Sequence, residues 1–230
     1  MGSLQKRPRH SALGGRQTSD APSAAHVWRG SWPFGIELVL YPLYFQSCLL
    51  AVSVLQGNER AGLFGVAATL IAGIYMIPDI LYQKYFVARF HFWIAHDRRR
   101  FFRNYLFAGV VLVGVGLVLC ALVLTAGDSI VRALYGGAFN DALSYLHILA
   151  FCIPVRFAAA AVGVALSLEG RAKARVIALG AAAVASILTT WLLTTVAPER
   201  GAAFGMLLGE VVLLGVFCFY AVPILKEAML

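Results

Sequence analysis

Glu37, Gln46, Asp79, Arg156 and Glu210 stand as charged or amide side chains inside stretches that are mostly apolar. An ionisable group in hydrocarbon is costly, so each must face a bundle interior, a wet cavity or a partner, and such residues mark routes for ions or polar cargo. Arg156 is the sharpest case. It follows Pro154 and lies more than a turn and a half from either end of its stretch. A guanidinium in that position can grip a phosphate or carboxylate by two parallel hydrogen bonds. It can equally serve as a structural ion-pair partner of Glu210 or Asp79, and the sequence leaves both roles open. Arg156, Glu210, Asp79 and Gln46 are therefore the candidate substrate-binding group. Glu37 lies near the end of its stretch, within reach of lipid headgroups. No catalytic residue is assigned, because the chain has no Gly-rich phosphate loop, nucleophile elbow or spaced metal-ligand set. His91 and His96, five apart on a basic segment, read as solvated. The expectation is a non-enzyme with no cofactor and no metal.

The elements that carry these residues are six long apolar stretches, at 34–55, 61–82, 105–126, 143–168, 176–196 and 201–225. Each is long enough to cross a hydrocarbon core, which takes roughly 20 helical residues. The fold class expected is all-α: a polytopic membrane bundle of six transmembrane helices. Of the 19 basic residues, 15 fall on one side if the stretches alternate, among them Lys84, Arg89 and the cluster Arg98, Arg99, Arg100 and Arg103. Only Arg60, Arg132 and Arg200 fall on the other. Loops rich in Lys and Arg stay in the cytoplasm, which puts both termini there; the localisation expected is the cytoplasmic (inner) membrane, as a multi-pass protein. The formal charge of +8 is thus juxtamembrane charge that meets anionic lipid, which excludes a nucleic-acid partner.

Residues 1–33 read as a disordered basic tail and 226–230 as a short cytoplasmic C-terminus, flanking one membrane domain over 34–225. Trp28 and Trp32 mark the membrane entry. Residues 81–97 read as an amphipathic extension at the interface, mixing Tyr82, Tyr85, Phe86 and Trp93 with Lys84 and Arg89. The segment 127–141 is the one sizeable outer loop expected, with a turn at Gly136-Gly137. Cys48, Cys120, Cys152 and Cys218 fall within spans and read as small buried hydrophobes. Pro42, Pro78 and Pro154 are expected to kink their helices. A short repeat is also visible: Asn58-Glu59-Arg60-Ala61-Gly62-Leu63-Phe64-Gly65 is echoed by Pro198-Glu199-Arg200-Gly201-Ala202-Ala203-Phe204-Gly205. Each opens a helix at an outer turn.

Four passages carry a family resemblance. They are Ala61-Gly62-Leu63-Phe64-Gly65-Val66-Ala67; Ile130-Val131-Arg132-Ala133-Leu134-Tyr135-Gly136 with Phe139; Leu166-Ser167-Leu168-Glu169-Gly170-Arg171-Ala172-Lys173; and Gly201-Ala202-Ala203-Phe204-Gly205. In order and spacing they resemble the polysaccharide biosynthesis flippases, the Wzx-like exporters of lipid-linked oligosaccharide within the multidrug/oligosaccharidyl-lipid/polysaccharide exporter superfamily. Glu169 stands where that family usually has Gln. The likeness covers about residues 34 to 225 and only the C-terminal six-helix lobe of a two-lobe exporter. It implies flipping of a lipid-linked glycan across the membrane, with Arg156 as the counterpart of the basic residues that hold the lipid-linked pyrophosphate. It implies as partners the glycan lipid, membrane lipids, a second six-helix lobe or a second copy of this chain, and glycosyltransferases or a polymerase. An ion-coupled exporter of amphipathic drugs and a non-transporting scaffold for glycan-synthesis enzymes are the alternatives.

Overall fold

The computed structural model describes residues 24–81, 98–168 and 172–229. The chain divides into two compact units, Met1–Trp32 and Pro33–Leu230, and all contacts below belong to the second. Among the described residues seven α-helices follow in order: α1 (Ala24–Gln56), α2 (Asn58–Leu81), α3 (Arg98–Tyr135), α4 (Ala142–Ala150), α5 (Cys152–Leu168), α6 (Ala172–Val196) and α7 (Gly201–Met229). One 3-10 turn, Gly137–Phe139, precedes α4. Among the described residues there is no strand. Helices satisfy every backbone group internally, which is what a chain surrounded by lipid requires.

Among the described residues six segments are long and apolar enough to span a membrane: Gly35–Gln56, Asn58–Pro78, Arg103–Tyr135, Ala142–Leu166, Lys173–Val196 and Gly201–Pro223. Their outward faces are apolar as well. Leu38, Val39, Leu50, Val110, Leu192 and Phe219 all stand exposed. Such a surface suits acyl chains and would drive association in water. The protein is therefore a multi-pass membrane protein.

The tight turns have local causes. Gly57 (φ 90°) and Gly136 (φ 85°) adopt the left-handed conformation that side chains oppose, and each ends a helix there. The third turn, between α6 and α7, closes through Ala197 N–H to the Leu193 carbonyl (2.7 Å) and Gly201 N–H to the Ala197 carbonyl (2.8 Å). All three turns lie at one end of the bundle. Gln56 donates to the Pro198 carbonyl, Tyr145 Oη lies 3.4 Å from Gln56 Oε1, and Arg60 meets Glu199 at 3.7 Å.

Two expectations change. The segment 127–141 is mostly not a loop, because α3 runs on through it to Tyr135. Asp128 and Arg132, one turn apart, form an ion pair at 2.9 Å that suits the continued helix. The prolines also differ in effect. α1 and α2 continue through Pro42 and Pro78, but the span containing Pro154 is split at Phe151. Pro154 sits in the first turn of α5, where its missing N–H is no loss, and its ring opposes continuation from α4. Helix α1 begins at Ala24, inside the stretch read as tail. The interfacial segment 82–97 and Glu169 lie outside the described residues.

Candidate functional site

The break at Phe151 fixes where Arg156 stands. It is the fifth residue of α5, so its side chain leaves the helix one turn from the start, at the depth of the bundle centre rather than at its end. Helix α3 comes close here because it presents glycine: a Cβ on Gly116 would stand 3.0 Å from Phe157 and 3.2 Å from the Pro154 Cα. Tyr105 ties the same two helices further along, donating to the Ala161 carbonyl at 3.0 Å. Arg156 thus projects from a helix start pinned by a neighbour.

Its partner is Glu210 on α7. Arg156 Nη1 lies 3.8 Å from Glu210 Oε2. The glutamate side chain is fully buried, while 14% of the arginine remains accessible. This is an ion contact beyond hydrogen-bond length, and neither Glu210 oxygen has a hydrogen bond. The guanidinium also sits over the ring of Tyr75, from α2, with 5.4 Å from Cζ to the ring centroid. That is within range for a cation–π contact, and removal from water strengthens it. Tyr75 is buried and its hydroxyl is without a hydrogen bond. Tyr44 on α1 borders the same acid, with its own hydroxyl donated to the Met206 carbonyl at 3.2 Å.

A second polar group lies beside Tyr44. Cys48 Sγ is 3.1 Å from Ser186 Oγ and 3.6 Å from Thr190 Oγ1, all three buried between α1 and α6. Cys48 is thus more than a small hydrophobe: it is the sulfur centre of a hydroxyl cluster. Thr194 continues the buried row at the next turn of α6. At the end of the bundle opposite the three turns, Glu37 pairs with Arg175 of α6.

The structure joins Arg156 and Glu210 and leaves Gln46 apart from them. Gln46 is exposed on α1, lining an open groove of about 640 Å³ between α1 and α2 with Leu43, Ser47, Leu50, Ala61, Gly62 and Gly65. Asp79 lies on α2 one turn beyond Tyr75, and its side chain is outside the described residues. Sequence reasoning missed Tyr75, Tyr44, Ser186 and Thr190. The signal for the last two was present: 186, 190 and 194 are hydroxyl residues at the spacing of one helix face.

The bundle superimposes on a crystal structure of MATE in the bent conformation with a TM-score of 0.67 and 21% identity, over 84% of this chain and 44% of that one. It superimposes equally on a MOP superfamily transporter from Pyrococcus furiosus, described for the reversed polarity of its binding pocket, with a TM-score of 0.67 and 20% identity over the same shares. The fold is that of part of a MATE transporter. The chain spans less than half the length of either neighbour. No family model and no curated protein matches the sequence. The likeness is one of fold, and it does not reach the oligosaccharide-flippase branch that the sequence passages resemble.

Proposed function

We propose that this chain is one lobe of a non-catalytic membrane exporter, and that it moves a lipid-linked oligosaccharide or polysaccharide precursor across the cytoplasmic membrane with both termini inside the cell. The observation that carries this reading is Arg156. A cation held by an aromatic ring beside a helix break, deep among six spanning helices yet still 14% accessible, suits an anionic headgroup that must cross hydrocarbon while its lipid tail stays in the bilayer. The solved neighbours, of which this chain covers 44%, support a further element: a second six-helix lobe, or a second copy of this chain, to close the cleft that one lobe leaves open. The drug-exporter reading has its own support in Glu210, a fully buried acid that would attract a cationic amphiphile.

Flipping of a fluorescent pyrophosphate-linked lipid in proteoliposomes separates the two. Arg156→Ala is expected to lower glycolipid flipping by tenfold or more at matched protein levels and to leave uptake of a cationic dye unchanged. Unaltered glycolipid flipping would remove Arg156 from the substrate path, and loss of dye movement after Glu210→Gln would favour the drug reading.

A further inference from the structure

Glu210 has a single ion partner among the described residues. Its side chain is fully buried, neither oxygen accepts a hydrogen bond, and among the described residues its one ion partner is Arg156, at 3.8 Å. Arg156, by contrast, has a support that does not depend on Glu210, the ring of Tyr75. The two halves of the pair are therefore unequal. If the arginine turns to a new anion it keeps its place over the ring, while the glutamate is left as a buried charge with no cation beside it and only the hydroxyls of Tyr44 and Tyr75 near, a costly arrangement.

Resting on the reading of Arg156 as an anion holder, we infer that Glu210 is a built-in competitor for the headgroup phosphate, displaced when the phosphate arrives and neutralised by a proton taken from water. The charge balance is simple. Before binding, one cation and one carboxylate sum to zero. After binding, the guanidinium faces one phosphate oxygen and the proton resides on a Glu210 oxygen as a neutral carboxyl, so Arg156 and Glu210 leave no unpaired charge of their own and the second charge of a pyrophosphate is not met by this pair. Each anion bound brings in one proton. Because the coupling is reciprocal, acid pH tightens anion binding and anion binding draws in the proton.

The groups that act on Glu210 are few. Arg156 on α5 is the charge. Tyr75 from α2, and Tyr44 from α1, are the neighbouring hydroxyls, and the thiols of Cys152 on α5 and Cys48 on α1 lie in the same electrostatic neighbourhood. From α6, packed along α7, the buried groups are the hydroxyls Ser186 and Thr190, which do not titrate. Asp79 on α2 is a further carboxylate to control by substitution.

The test uses the full chain purified in detergent and a short-chain pyrophosphate diester, whose two charges are constant near neutral pH. Calorimetry in buffers of different ionisation heat counts the protons. Wild type is expected to take up about one proton per diester and to bind up to tenfold tighter for each unit of pH lowered, the slope that one linked proton gives. Glu210→Gln is expected to bind at least as tightly, with no proton uptake and a flat pH profile. Asp79→Asn should leave the count at one. Uptake unchanged in Glu210→Gln, or a count of zero in wild type that binds, overturns the inference and leaves the anion-holder reading standing. A wild type that does not bind the diester overturns both. Should Glu210→Gln fail to fold, infrared difference spectra of wild type decide alone: adding diester must raise a protonated-carboxyl band, and its absence counts against the competitor role.

Discussion

Residues 58–65 and 198–205 start helices α2 and α7 at the same end of the bundle with nearly the same motif, a Glu-Arg pair followed by small residues, Phe and Gly. In α2 the aromatic turns inward. Phe64 is fully buried, edge-on to Tyr145 with ring centroids 5.6 Å apart, while Gly62 meets open space and Gly65 only touches Leu49, at 3.6 Å. In α7 the small residues turn inward. Phe204 is 44% exposed, and a Cβ on Gly205 would collide with Thr190, at 2.7 Å from its Cα. One motif thus supports two kinds of helix contact. Lipid gives helices no hydrophobic reason to associate, so contact quality decides: a large side chain filling a gap in one case, backbones brought together over glycine in the other. The difference also shapes the site. The close α6–α7 seam fixes the helix that bears Glu210, and the splayed α1–α2 pair leaves the groove that exposes Gln46.

The strongest way to break this contrast is to give both glycines a methyl group. Gly205→Ala must push α6 and α7 apart at backbone level, since the clash is with the Thr190 main chain as well as its hydroxyl. The expected loss is about 2–3 kcal/mol, the upper range for overpacking. Gly65→Ala meets one flexible leucine end and should change stability by less than about 0.5 kcal/mol. Thermal denaturation in detergent measures both, and equal shifts would mean the two helix starts pack alike.

Deleting the two aromatics is the next test. Phe64→Ala leaves a cavity against Tyr145, and because transfer from lipid adds little, the cost is mainly that of the void. At about 24 cal/mol per Å³ this comes to roughly 2 kcal/mol. Phe204→Ala removes a ring that faces outward and should stay within about 0.5 kcal/mol of wild type. A destabilised Phe204→Ala in a lipid environment would show that this ring has a partner in the membrane.

Much of this architecture is legible in the sequence, for a reason that is local. A run of apolar residues long enough to cross a bilayer has few other fates, so six spans and an all-helical fold follow from composition along the chain. Arg156 and Glu210 are legible as buried charges on the same basis. Their pairing is not, because it joins residues on separate helices, and Asp79 satisfied the same local rule. The helical run through Asp128 and Arg132 was hidden by Gly127 and Gly136-Gly137, which carry a turn signal whether the turn comes at the start or the end of the segment. Only the left-handed Gly136 uses it. The repeat shows the limit most plainly. Which face of a Phe-Gly motif turns inward depends on what the neighbouring helix presents, Tyr145 in one case and Thr190 in the other, and neither is near in sequence.

The smallest effect expected is at the junction of the two motifs themselves. Arg60 of the first and Glu199 of the second meet at 3.7 Å, with 44% and 71% of their side chains accessible. An exposed pair of this kind gives little, about 0.2–1 kcal/mol, and salt screens it further. The neighbouring bond from Gln56 to the Pro198 carbonyl joins the same two turns without charge. A double-mutant cycle of Arg60→Ala and Glu199→Ala, run at low and high salt, should therefore give a coupling under about 1 kcal/mol that fades as salt rises. Gln56→Ala should lose a similar amount at both salt levels, since a neutral hydrogen bond is indifferent to screening. A salt-insensitive coupling well above that range would mean the two turns are held by the ion pair in a drier setting than their exposure implies, and that the matched motifs lock the turn end together through charge rather than through the packing that distinguishes them.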